Sequence, residues 1–122
     1  MARILVIDDE ADMRGLLEET LQSAGHEVSL AADGEEGMKR FRARPADLVI
    51  TDLYMPGQEG LETIMQLRRE FPSVAIMAMS GRVAAGTMLN IAHKLGAIVV
   101  LQKPFNGEQL LSEVDKALKR ES

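Results

Sequence analysis

Short apolar runs alternate with amphipathic stretches along the chain. The apolar runs occupy residues 4–7, 28–31, 48–51, 74–79 and 98–101. Four of them lack polar alternation, which is typical of strands buried on both faces of a sheet. The run at 28–31 is mixed, so we expect it at a sheet edge. The pattern therefore predicts a strand at each run.

Helical periodicity fills the stretches between these runs. Apolar residues at 3.6-residue spacing predict helices over residues 13–24, 34–42, 61–68, 87–95 and 110–118. Gly25 predicts the end of the first helix. Asn106 with Gln109 predicts a capping box at the start of the last one.

The regular alternation of strands and helices predicts an α/β fold. Such alternation favours a doubly wound parallel sheet with helices on both faces. Right-handed crossovers leave few topologies, and 2-1-3-4-5 is the common order for a five-stranded sheet of this kind. At 122 residues, the chain is expected to form one domain over 1–122.

Composition narrows the classes of function. The hydrophobic share of 46% and the charged share of 27% suit a globular chain. No apolar run approaches the roughly 20 residues of a membrane span, and acid follows the first apolar run at once, unlike a signal peptide. Cysteine is absent, which excludes disulfides and thiol chemistry. We therefore expect no membrane contact and a cytoplasmic location.

Charge argues against direct nucleic-acid binding. The net charge is −5 and aromatic residues are 3% of the chain. A basic face and stacking aromatics are what nucleic-acid binding requires.

Polar side chains follow four of the predicted strands. Asp8 and Asp9 follow the first strand, Asp52 the third, Ser80 the fourth and Lys103 the fifth. In an open α/β sheet, ligands bind beyond the carboxyl ends of the strands, where the strand order reverses. The topology thus brings carboxylates, a hydroxyl and an ammonium group to one edge.

Such a site is suited to a hard cation and to phosphoryl chemistry. Oxygen ligands without His or Cys favour Mg²⁺ over Ca²⁺, with Mn²⁺ as an alternative. A metal beside a carboxylate and a lysine positions and neutralises a transferring phosphoryl group, and an Asp carboxylate can itself be the nucleophile.

Four motifs stand in order, each at a strand end: Asp8-Asp9, residues 52–60, Ser80-Gly81 and Lys103-Pro104-Phe105. Together they make the whole chain resemble the receiver domain of bacterial two-component response regulators, including chemotaxis receivers. The resemblance implies a flavodoxin-like (βα)₅ fold. It also implies a phosphoprotein of a phosphorelay that takes a phosphoryl group from a histidine kinase or phosphotransfer protein and signals by conformational change. Such a domain is a phosphoacceptor that catalyses its own phosphorylation and slow dephosphorylation, and is not a classical enzyme.

The resemblance assigns the metal and acceptor roles. Asp52 would be the phosphoacceptor and a metal ligand. Asp9 would bind Mg²⁺ directly, and Asp8 mainly through water. The backbone carbonyl of Tyr54 would be a further ligand.

It also assigns the groups around the phosphoryl oxygens. Ser80 would donate its hydroxyl, and Lys103 would pair with Asp52 before the reaction and with a phosphoryl oxygen after it. Pro104 is expected to follow a cis peptide bond that orients Lys103. Gly81 would keep the approach to Asp52 open.

The chain departs from the family on the fifth strand. Val100 stands where receivers usually carry an aromatic residue that moves with the switch. Either the output switch is altered, or the conformational change on phosphorylation is transmitted through residues 81–86 and the helix at 87–95. Tyr54 and Arg82 would flank the access of water to the phosphoryl group.

Alternatives remain open. Asp8-Asp9 alone would suit a helix cap, and Lys103 alone a solvated loop. The domain would fit equally within a DNA-binding regulator or a hybrid kinase. A phosphatase with an aspartyl nucleophile is disfavoured because the acid follows the third strand, and a flavin module is disfavoured because carboxylates repel a flavin phosphate. The partner kinase, the output partner and a homodimeric state are not readable from the sequence.

Overall fold

A five-stranded parallel sheet forms the centre of the molecule. A computed structural model describes residues 2–53, 60–81, 94, 96, 97 and 99–121. The strands are β1 (Arg3–Ile7), β2 (Glu27–Ala31), β3 (Leu48–Asp52), β4 (Ala75–Ser80) and β5 (Val99–Gln102). Their order is β2-β1-β3-β4-β5, and all neighbours are parallel. The predicted topology is confirmed.

Helices cover both faces of this sheet. Within the described ranges they are α1 (Ala11–Ser23), α2 (Gly34–Ala43), α3 (Gly60–Glu70) and α4 (Gly107–Glu121). The helix predicted over 87–95 lies outside the described residues, apart from Lys94. No described helix has the length and apolar character needed to cross a membrane.

The core consists of two apolar layers separated by the sheet. Leu5 and Ile7 of β1 join the layer beneath α2 and α3. Ile4 and Val6 join the layer beneath α1 and α4. Successive side chains of a strand point to opposite faces, so the four buried residues of β1, Ile4 to Ile7, are apolar on both sides of the sheet. This is why β1 has no polar alternation.

The sheet edges agree with expectation, whereas two strand ends differ slightly from it. β2 is an edge strand, as its mixed sequence predicted. The fifth apolar run forms β5, the other edge strand in the predicted order, with Val99 and Leu101 buried and Val100 half-buried. Strand pairing also includes Asp52 and Ser80. These two residues are therefore the last residues of β3 and β4, whereas the sequence predicted that they follow those strands.

The predicted helix boundaries have clear local causes. After α1, Gly25 has a φ of 93°. Its N–H donates to the Gln22 carbonyl at 2.9 Å, and the His26 N–H donates to the Leu21 carbonyl at 3.1 Å, which is a Schellman motif. Before α4, the side chains of Asn106 and Gln109 each accept the other's backbone N–H at 2.8 Å. The predicted capping box is present.

Candidate functional site

The carboxyl ends of four strands meet at one edge and carry the predicted polar groups. Asp8 follows β1, Asp52 ends β3, Ser80 ends β4 and Lys103 follows β5. The Lys103 N–H donates to the Ser80 carbonyl at 2.7 Å, which extends the pairing of β4 and β5 into the site. Asp8 and Ser80 are fully buried, and Asp52 is nearly so.

Lys103 lies between the two buried carboxylates. Its Nζ is 2.9 Å from Asp52 Oδ2 and 3.3 Å from Asp8 Oδ2. A third carboxylate, that of Glu10, is 3.8 Å away. The Lys103 side chain is only 13% exposed, so water screens these attractions weakly. The sequence placed these groups at one edge, and the structure brings them into contact.

The electrostatics of Asp8 and Lys103 reflect their burial. Burial raises the pKa of Asp8, and the negative charge of Asp52 raises it further. The hydrogen bond from the Glu10 N–H and the charge of Lys103 lower this pKa, but their combined effect is smaller. Burial also opposes the charge on Lys103, but its hydrogen bond with Asp52 and the charges of Asp52 and Asp8 prevail, so the pKa of Lys103 is raised. Lys103 therefore stays protonated between them.

Four carboxylates converge beside Lys103. One oxygen from each of Asp8, Asp9, Glu10 and Asp52 lies within 4.8 Å of the others. Asp9 and Glu10 are exposed while Asp8 and Asp52 are buried, so the cluster opens to solvent on one side. An oxygen-only set that retains access to water fits Mg²⁺, which keeps several water ligands.

Glu10 is a member of this cluster that the sequence analysis did not assign. It belongs to the same acidic triplet as Asp8 and Asp9, which was the available signal. As the N-cap residue of α1, it has an extended backbone and makes no capping bond with its own side chain. Its carboxylate instead points toward Lys103.

Two hydrogen bonds hold the backbone from Asp8 to Glu10, where the chain enters α1. Asp8 Oδ1 accepts the Glu10 N–H at 2.9 Å, and the Asp8 carbonyl accepts from Arg14 Nη1 at 2.7 Å. The helix-start reading of Asp8 is thus partly correct, because Asp8 supports the entry into α1 with one oxygen. Its other oxygen faces Lys103.

The remaining predicted residues have varied positions. The Lys103–Pro104 bond is cis, as the resemblance implies. A Cβ added to Gly81 would lie 3.3 Å from Lys103 Cβ and 3.4 Å from its Cδ, so Gly81 accommodates the stem of Lys103. Val100 is half-buried and packs against the α2–α3 layer. Tyr54 and Arg82 lie outside the described residues, as do 82–86 of the predicted switch loop.

Comparison with known proteins identifies relatives of the whole chain. The family model "Response regulator receiver domain" matches residues 4–115. The chain is 38% identical over 120 residues to the "Probable transcriptional regulator ycf27" of Porphyridium aerugineum, covering 97% of this chain. It is 32% identical over 117 residues to the "Nitrogen assimilation regulatory protein NtrX" of Azorhizobium caulinodans, covering 94% of this chain.

A solved structure agrees with the fold over nearly its full length. The response regulator protein TrrA from Thermotoga maritima, in complex with Mg²⁺-BeF, superposes with a TM-score of 0.87 and 37% identity. The alignment covers 96% of this chain and 99% of TrrA. By contrast, the chain spans 48% of the ycf27 relative and 26% of the NtrX relative.

Proposed function

The chain belongs to the response regulator receiver domain family, and from this premise we propose that Asp52 is its phosphoacceptor. The observation that carries the proposal is the placement of Lys103 Nζ 2.9 Å from Asp52 Oδ2 within a cluster of carboxylates. Among the described residues of the cluster, Asp52 is the acid that ends the central strand β3 and faces both the ammonium group and the other acids. We take residues 1–122 as the extent of the receiver domain.

Asp52 acts as a nucleophile in this proposal. One carboxylate oxygen attacks the phosphorus of the donor, and the bond from phosphorus to the leaving group breaks. The leaving group is a histidine nitrogen of a kinase or phosphotransfer protein, or acetate when acetyl phosphate is the donor. It departs with the electron pair of the broken bond, and the product is an aspartyl phosphate.

Lys103 and Ser80 serve the phosphoryl oxygens. Before the reaction, the Lys103 ammonium group pairs with the Asp52 carboxylate, with Nζ 2.9 Å from Oδ2. Afterwards its ammonium group pairs with a phosphoryl oxygen, because the phosphoryl group brings a charge of about −2. Ser80 is buried at the end of the neighbouring strand β4, and its hydroxyl donates a hydrogen bond to the phosphoryl group.

Asp8, Asp9 and Asp52 would hold a divalent cation, with Glu10 at the exposed side of the cluster. A bound Mg²⁺ would neutralise the charge that gathers on the transferring oxygens, and Mn²⁺ would suit the same oxygen ligands. The TrrA structure with Mg²⁺-BeF supports this assignment by relationship. The resemblance adds the Tyr54 carbonyl to the ligand set.

The proposed partners are those that membership of the receiver domain family implies. The domain takes its phosphoryl group from a histidine kinase or phosphotransfer protein and signals to an output partner or attached output domain. It is a phosphoacceptor that catalyses its own phosphorylation and slow dephosphorylation. We propose that it works in the cytoplasm and makes no direct contact with nucleic acid.

Intact mass spectrometry tests the assignment of Asp52. The protein is incubated with Mg²⁺ and acetyl phosphate, and we expect one hydroxylamine-sensitive phosphate. The Asp52→Asn variant should gain none, while the control Asp47→Asn should react like the wild type because Asp47 lies before β3, at the opposite end of the strand. A hydroxylamine-sensitive phosphate on Asp52→Asn would refute the assignment.

A further inference from the structure

Gly60, the first residue of α3, lies directly against the backbone of the acceptor strand. A Cβ built on Gly60 would collide with the Asp52 carbonyl oxygen. It would also lie 2.5 Å from Leu53 Cα and 2.9 Å from the Asp52 carbonyl carbon. Real Cβ atoms essentially never come within 3.0 Å of such atoms. All three atoms belong to the backbone, so no side-chain rotation makes room.

The strand opposite Gly60 is held in place on both sides. Asp52 pairs with Met79 of β4, and Thr51 pairs with Ile7 of β1. Beyond the strand, the Leu53 N–H donates to the Met79 carbonyl at 3.0 Å. A side chain at position 60 must therefore shift α3 outward or rotate the peptide between Asp52 and Leu53.

Helix α3 is itself bonded to this strand end. The Gly60 N–H donates to the Leu53 carbonyl at 3.3 Å. In addition, Ile64 and Leu67 of α3 are fully buried in the layer beneath the sheet. An outward shift would open that layer, so part of the strain from an added methyl group has to appear in the Asp52–Leu53 peptide.

We propose that Gly60 is a positioning residue for phosphoryl transfer. The absence of a side chain at Gly60 lets α3 seat against the Asp52 peptide and so fixes the carboxylate 2.9 Å from Lys103 Nζ. This inference rests on the proposed function, since it takes Asp52 as the reacting group. The three atoms nearest to a Cβ at position 60 are all backbone atoms of Asp52 and Leu53, so Gly60 acts through Asp52.

The chain offers two matched controls. Gly15, in α1, has nothing within 4 Å of an added Cβ, so Gly15→Ala adds the same methyl group in open space and favours the helix. Leu67→Ala removes buried side-chain atoms from α3 itself. Leu67 is seven residues from Gly60, or about 10 Å along the helix, so this variant weakens the same helix away from Asp52.

The experiment measures phosphorylation rate and folded fraction separately. Gly60→Ala is made in the wild type and in the Gly15→Ala background, which favours folding. Acetyl phosphate is varied at saturating Mg²⁺, phosphate incorporation is followed by intact mass, and the folded fraction is taken from circular dichroism. A purely structural defect lowers the amount of reactive protein, whereas a positioning defect lowers the saturating rate constant of folded protein.

We expect Gly60→Ala to lower the saturating rate constant by at least about tenfold, with the half-saturating donor concentration unchanged. Gly15→Ala and Leu67→Ala should keep the wild-type rate constant per folded molecule. A wild-type rate constant in Gly60→Ala would overturn the inference, and so would an equal loss in Leu67→Ala. A wild-type protein that gains no phosphate would overturn the proposed function, and this inference with it.

Discussion

Replacing Lys103 with Met removes the cation that separates Asp8 from Asp52. At the observed 2.9 Å and 3.3 Å, each attraction amounts to about 5 kcal/mol for an effective dielectric constant near 20. Burying the charges costs several kcal/mol per ion, so the net loss on removing one partner is about 3–5 kcal/mol. The Lys103 side chain is 13% exposed, which allows water some compensation. We therefore expect a loss of about 3 kcal/mol.

This loss corresponds to a large shift in melting temperature. The entropy of unfolding for a chain of this length is about 0.26 kcal/mol/K, so 3 kcal/mol lowers the melting temperature by about 12 °C. The assay is thermal unfolding at pH 7 in the presence of EDTA. The control Lys116→Met removes an exposed lysine 3.4 Å from Glu113 and should shift the midpoint by about 2 °C or less.

The pH dependence identifies charge as the cause. Without Lys103, the pKa of Asp8, already raised by burial, rises further. An acid with a higher pKa in the folded state holds more protons there, so stability falls as pH rises from about 4 toward that folded value. The deficit of Lys103→Met should therefore be small near pH 4 and complete near pH 7.

Metal gives a second signature of the same cause. A cation that binds only the folded state raises its stability, and Mg²⁺ should stabilise Lys103→Met more than the wild type because it replaces the missing charge. An unchanged melting temperature would refute the reasoning. A deficit that is equal at both pH values and insensitive to Mg²⁺ would show that Lys103 contributes through the packing of its stem.

Three further outcomes test the site. Asp8→Asn should raise the melting temperature above about pH 4, because the raised pKa of Asp8 means that its ionisation costs stability; a lower melting temperature at pH 7 would contradict this. Asp9→Ala should weaken Mg²⁺ binding more than Asp8→Ala does. Binding is measured by titration, followed by the fluorescence of Tyr54, the single tyrosine. Equal Mg²⁺ affinities of the two variants would exclude a direct role for Asp9. With Mg²⁺ and beryllofluoride, amide NMR shifts should be larger at Ser80 than over Val99–Leu101, and the reverse order would count against the predicted switch.

The fold was predictable because burial on two faces leaves a simple trace in the sequence. Ile4 through Ile7 are all apolar since β1 lies between two layers. Crossover handedness then leaves few strand orders, and the common one among them is the order observed. The mixed composition of β2 marked an edge correctly. β5 has the apolar composition of a central strand, so its place at the other edge followed from the predicted strand order and not from its own residues.

The site was predictable where topology alone determines proximity. Asp8, Asp52 and Lys103 follow from strand ends that must share one edge. Glu10 and Gly60 do not follow in this way. The direction of the Glu10 carboxylate depends on the angle at which the chain enters α1, and an isolated glycine at a helix start is typical of an ordinary turn. Only the three-dimensional structure shows that Gly60 adjoins the backbone of Asp52 and Leu53 with no room for a side chain.

The bond between β4 and β5 constrains how a signal leaves the site. The Lys103 N–H donates to the Ser80 carbonyl, and the stem of Lys103 lies against Gly81, so a backbone displacement of Ser80 would pull on the end of β5. Rotation of the Ser80 side chain moves the hydroxyl without breaking that bond. We therefore expect the hydroxyl to reach the phosphoryl group by rotation, with the backbone change beginning beyond Gly81. Val100, held two residues before the last residue of β5, then has no cause to move, which agrees with the absence of a large rotating side chain at that position.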